Sequence, residues 1–307
     1  MVNLPAQESA TFDTDYAILP MRFIEDLYKI LLSFNAQFVT PDELSFLITD
    51  EIQSPETIGN IYKREYASWQ KKAPRNKFTI LLLHDCDYSP HNTIHFLEYE
   101  KSLSIRSTTA VYVTEFNKNE EKPFPIDYSR LALFQQYGFC FSYHWNCATS
   151  KNFDPSHFWT FFDSDIDFLN SKGLEINYYS SHGAITREGQ KNNHEFFPPA
   201  QARHKLLSTH NRYAFMGLKY SDGAFEAKPE QSDIRNFLFK LAYGERHIIL
   251  LHPCRYGAQN EDCAKKLFPT HPYIEEYWKL YRGGDTSPYW KEVLKALSLK
   301  KISQHIQ

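Results

Sequence analysis

The sequence predicts an α/β fold, a distorted (β/α) barrel with parallel strands and an N-terminal helical preface. Two observations carry that reading. From residue 78 onward, short apolar or aromatic-rich runs alternate with polar-apolar segments long enough for a crossover helix, the pattern of βαβ units. Just before this, the charged, proline-containing stretch 71–76, KKAPRN, separates a region of helical periodicity from the first buried-strand run, FTILLL at 78–83. A chain of 307 residues can close one large barrel without a second domain. The expected organisation is a preface at 1–75 packed on a barrel at 76–307, one domain overall.

The elements follow in order. Residues 21–34, MRFIEDLYKILLSF, place apolar side chains at helical spacing, and Thr40-Pro41-Asp42-Glu43 signals a second short helix. Strands are expected at 78–83, 107–114, 138–143, 174–180, 213–218 and 246–251, chosen for β-branched and aromatic content. Helices are expected between them at 91–103, 127–137, 156–172 and 230–243.

Composition narrows the function. Hydrophobic residues make up 42% and charged residues 23%, which excludes disorder and coiled coil. A net charge of -3 offers no basic footprint for nucleic acid. Residues 1–20 carry no secretory pattern, and no run approaches the ~20 apolar residues of a membrane span. The expectation is a cytoplasmic protein without membrane insertion. Five cysteines without a CxxC pair suit reduced thiols. The chain has no GxSxG, no P-loop and no GxGxxG.

In a parallel α/β fold, functional residues gather beyond the carboxyl ends of the strands. Four of the six expected strands are followed within two residues by a histidine: His84, His144, His182 and His252. With thirteen histidines in 307 residues, that coincidence has a chance of roughly one in a thousand. The first strand end reads His84-Asp85-Cys86-Asp87-Tyr88-Ser89-Pro90. Alternation puts Asp85 and Asp87 on one face. Two carboxylates held close call for a cation between them or a shared proton.

LLLHDCDYSP, FSYHWN around His144, YYSSHG around His182 and ILLHPCR around His252 occur in an order that resembles the polysaccharide deacetylase superfamily (carbohydrate esterase family four), in its His-Asp-x-Asp branch. The resemblance runs from about 78 to 255, with similarity in the preface. It implies a metal-dependent hydrolase, with zinc the usual divalent ion, that removes an acetyl or formyl group from an amino sugar or glycan, often in surface-polysaccharide biosynthesis. Position by position it implies that Asp85 is the base, Asp87 and His144 are metal ligands, and His252 is the acid for the leaving amine. One carboxylate and neutral imidazoles suit zinc.

The chain departs from the common pattern at the second ligand histidine, since Ala148 stands four residues after His144. His182 is the first candidate to replace it and Cys147 the second; His194, His204 and His210, in the polar stretch 190–212, are reserve ligands. Trp145 is a candidate sugar-stacking surface and Arg255 a candidate contact for a phosphate or carboxylate. The competing reading is a catalytically degenerate barrel that binds carbohydrate or a partner enzyme.

Overall fold

The computed structural model describes residues 16–44, 75–116, 121–147, 154–182, 207–208, 217–223, 232–267 and 271–305. Helix α1 (Met21–Ser33) leads into strand β1 (Ala36–Val39), and the sheet is organised around β2 (Phe78–Asp85). One edge of β2 pairs with β10 (Arg246–Leu251). Its other edge is shared: β1 lies parallel to residues 78–81, and β3 (Thr108–Val111) takes residues 83–85. Beyond β3 follow β6 (Cys140–Trp145), β7 (Tyr178–Ser181) and β8 (Leu207–Ser208); beyond β10 lies β9 (Lys219–Ser221). Every pairing in this sheet is parallel. The result is the curled parallel sheet of a distorted (β/α) barrel. A small antiparallel pair, β4 (Thr114–Phe116) and β5 (Glu121–Pro123), follows β3.

Helices α2 (Pro90–Ser102), α3 (Tyr128–Gln136), α4 (Phe158–Ser171) and α5 (Ile234–Lys240) lie where the spacers placed them. The structure adds three helices that local pattern did not indicate, α6 (Asp262–Leu267), α7 (Pro272–Arg282) and α8 (Ser287–His305), and the short strands β4, β5 and β8. The preface is also more than helical, because β1 belongs to the sheet. Of the run expected at 213–218, residues 213–216 lie outside the described residues, and the strand there starts at Lys219. The strand expected from 174 starts at Tyr178.

Alternation along the strands sets the site. On β2, Phe78, Ile80 and Leu82 face the helices and join a cluster with Leu27, Phe96 and Trp290, whereas Leu81 and Leu83 pack with Val39 and Ile248 inside the sheet's curve. Continuing the parity, His84 must turn outward and Asp85 inward. On β6, Phe141, Tyr143 and Trp145 pack against helices α3 and α4, leaving Ser142 and His144 inside.

Helix α4 brings a carboxylate into that outer cluster. Asp165 is buried and accepts a hydrogen bond from Tyr143 Oη at 2.6 Å. Burial pushes its carboxyl up to about 6, against the pull of the Tyr143 and Cys147 hydrogen bonds. An acid whose folded pKa exceeds its unfolded one weakens the fold wherever both states are ionised, and the cost disappears as pH falls through the folded and then the unfolded value. Asp165→Asn, whose amide oxygen can still accept from Tyr143, is therefore expected to stabilise the protein by about 2–3 kcal/mol at pH 7.5. The gain should shrink below pH 6 and vanish near pH 4, read by urea unfolding across that range. A gain that is equal at pH 4 and 7.5 would contradict this account.

Candidate active site

The site forms where β2, β3, β6, β7 and β10 end. Asp85 closes β2, and Asp87 follows on a buried turn. His144 lies next to last on β6, His182 follows β7 and His252 follows β10. Each strand delivers its residue to the inward face by the alternation above. Parallel registry then aligns them, with His144 beside Ser180 and His84 beside Leu251.

Asp87 is the hub. His144 Nε2 lies 3.5 Å from its Oδ1, and His182 Nε2 and His252 Nε2 each lie 3.7 Å from its Oδ2. Asp85 Oδ2 is 4.0 Å from His144 Nε2 and 3.7 Å from His252 Nε2. The five candidate residues of the strand ends thus share one pocket.

Two of the rings, those of His144 and His252, are held from behind, and His182 is fixed through its backbone. His144 Nδ1 pairs with Ser180 Oγ at 2.8 Å, which frees Nε2 for the pocket. The backbone N–H of His182 donates to the Trp145 carbonyl at 2.7 Å. Asp222, fully buried just beyond β9, accepts from the backbone N–H of His252 at 2.9 Å and makes a very short contact with its Nδ1. Tyr112, just beyond β3, donates its hydroxyl to Asp87 Oδ1 at 2.6 Å and stacks on His144 with ring centroids 4.9 Å apart.

Charge follows geometry. Burial alone would raise the Asp87 carboxyl, but the surrounding His182, His144 and His252 rings hold it well below the usual carboxylate range. Burial would lower His252, yet Asp222, by charge and hydrogen bond, and then Asp87 and Asp85 push it up to about 9. His144 is likewise raised by Asp85 and Asp87 against its burial. The phenol of Tyr112 is pushed far up by burial and by Asp87, so it remains a donor.

The donor set fits a divalent metal. One ligand atom from each of Asp87, His144 and His182 lies within 4.8 Å of the others. The buried Nε2 of His144 has no hydrogen-bond partner among the described residues and faces Asp87. A polar atom so placed needs a cation or a proton to satisfy it.

Other sequence candidates lie elsewhere. His84 turns outward, as its parity requires, and pairs with the buried Glu100 on α2 at 2.6 Å. Trp145 is 1% exposed and packs on Phe162 and Tyr143, so its ring sits in the aromatic core and not on the site's surface. Cys147 is buried beside Asp165 and Tyr143. Arg255 is half-buried after β10, its carbonyl accepting from Ile18 and Leu19. His194, His204 and His210 lie outside the described residues. Asp222 and Tyr112 are the residues that sequence reasoning missed. The first was hidden because the strand before it was expected too early in the chain, and the second because it was read as the interior of a strand.

No protein-family model matches the chain, and no curated protein matches its sequence. Five chains of solved structures do match. One of them is a family 4 carbohydrate esterase from Bacillus anthracis, 15% identical, covering 72% of this chain and 86% of that chain with a TM-score of 0.35. Among the described residues, no helix is long and apolar enough to cross a membrane.

Proposed function

We propose that the protein is a metal-dependent hydrolase that removes an N-acyl group, acetyl or formyl, from an amino sugar, by the reaction of the His-Asp-x-Asp polysaccharide deacetylases and in surface-polysaccharide biosynthesis. The observation that carries the reading is the convergence of a three-residue ligand set, Asp87, His144 and His182, with a separate carboxylate and a separate Asp-backed histidine. Zinc or a similar divalent ion held by the three ligands would supply a Lewis acid that makes water acidic enough to attack at neutral pH.

The chain's own groups divide the remaining work. An amide is a poor electrophile with a poor leaving group, so its hydrolysis needs a base for the attacking water and an acid for the nitrogen. Asp85 takes the proton from water as the oxygen bonds to the acyl carbon. His252, kept protonated with Nε2 toward the pocket, gives its proton to the sugar nitrogen as the C–N bond breaks. Asp222 holds Nδ1 of His252 and so fixes which nitrogen delivers the proton. The products are a free amine and a carboxylic acid. A barrel that only binds carbohydrate has no need of an acid and a base at the same pocket.

The test is metal content and acyl release on one preparation. Purified protein is expected to carry close to one divalent ion per chain and to release acetate or formate from acylated amino sugars. Chelation and dialysis should remove both, and zinc or cobalt should restore them. Full activity in the metal-free protein would reject the proposal.

A further inference from the structure

One buried side chain touches all three members of the ligand set without belonging to it. Tyr112 is 3% exposed and stands just beyond β3. Its direction follows from strand parity: Ala110 lies beside the inward-facing Asp85 in the parallel register, and Tyr112, two residues on, returns to the same face. The hydroxyl donates to Asp87 Oδ1 at 2.6 Å. The ring stacks on His144 with 25° between planes, and meets His182 edge-on with centroids 5.5 Å apart and 79° between planes.

The tyrosine is itself fixed. Phe124 packs against its ring edge-to-face at 5.5 Å between centroids, and Tyr128 Oη on α3 donates to the Tyr112 carbonyl at 2.7 Å. The N–H of Cys86, between the two aspartates, donates to the Ala110 carbonyl at 3.0 Å. The turn that carries Asp87 is thereby tied to the strand that leads into Tyr112, and carboxylate and hydroxyl hold one relative position.

Both oxygens of Asp87 face imidazole nitrogens, Oδ1 toward His144 and Oδ2 toward His182. A carboxylate so placed could grasp an ion with both oxygens, a mode that suits hard, many-coordinate cations. A hydrogen bond to one oxygen draws charge away from it and leaves the other as the better ligand atom. We propose that Tyr112 is a positioning residue for the metal centre: its hydroxyl holds Asp87 to ligation through Oδ2 alone, and so biases the site toward an ion of low coordination number, zinc over manganese. One-oxygen ligation also preserves the open position that distinguishes a catalytic site from a closed structural one. The inference rests on the metal-centre part of the hydrolase reading and not on the reaction.

The test titrates the metal-free full chain with zinc, manganese or cobalt alone. Tyr112→Phe keeps the ring between Phe124 and His144 and deletes only the hydroxyl. It is expected to bind zinc about tenfold more weakly while manganese binding holds or improves, so that the preference for zinc falls by the same factor. Cobalt-loaded wild type should show the strong visible absorption of a low-coordinate ion, and Tyr112→Phe should lose much of it. Ser180→Ala, which loosens His144 from behind, is the comparison: it should weaken zinc and manganese together and keep the cobalt spectrum. A weak, six-coordinate cobalt spectrum in wild type would overturn the inference without recourse to any variant. So would an unchanged preference and spectrum in Tyr112→Phe, or an equal change of preference in Ser180→Ala, which would make the effect a general loosening of the pocket. Wild-type protein that binds none of the three ions would remove the metal centre itself, and Tyr112's role with it; zinc binding that ignores the hydroxyl would remove only the role.

Discussion

Asp85→Asn is expected to keep the metal and lose turnover by about a thousandfold. Asp85 stands outside the three-residue ligand set and faces His144 and His252 at 4.0 and 3.7 Å. Asparagine preserves its shape but cannot accept the proton of water. His144→Ala is expected to fail differently. It deletes a ring whose back is fixed by Ser180 and whose buried front faces Asp87, so metal affinity should fall together with activity. Metal analysis after dialysis, run beside a kcat measurement, separates the two. An Asp85→Asn protein that turns over normally, or one that has lost its metal, would show that the carboxylate is not the base.

Glu100→Ala is expected to cost about 3–5 kcal/mol of stability. The Glu100 carboxylate is fully buried and gathers three partners from different parts of the chain: His84 Nε2 on β2, Tyr28 Oη on α1 and Ser107 Oγ ahead of β3, each at 2.6 Å. Removing it strands three buried polar groups at once. Glu100→Gln keeps the volume and an acceptor and should cost less than half as much. Urea unfolding of the two variants reads the difference. A loss below about 1 kcal/mol for Glu100→Ala would mean that the three groups find other partners.

How much of this was legible depends on how local the signal was. FTILLL and RHIILL are apolar runs whose own composition marks strands, and β10 has the bounds that the run suggested. The histidines at 144, 182 and 252 declared themselves because a strand end recurs at a fixed place in this architecture. His84 carried the same mark, but strict alternation already separated it from Asp85, and the same rule separates Trp145 from His144. Asp222 was obscured because Lys219–Ser221 is too short and polar to announce a strand; only its pairing with residues 248–250 makes it one. Helices α7 and α8 bury Trp278, Tyr277 and Trp290 against α1 from more than 240 residues away, a partnership that no short window reveals.

The shared edge of β2 has a consequence for how the molecule assembles. Residues 78–81 take their backbone partner from 36–39, residues 83–85 from 108–110, and the far edge from 246–251. The central strand is therefore complete only when three widely separated stretches of chain have arrived, and loop closure makes such long-range parallel pairing slow. Until then β2 exposes its run FTILLL, apolar at every position but Thr79, with open hydrogen-bonding groups, the kind of segment that pairs with another copy of itself. The short strand at Ala36–Val39 acts as an internal guard on that edge, so trimming the first forty residues as if they were a dispensable leader would yield a protein that aggregates while folding.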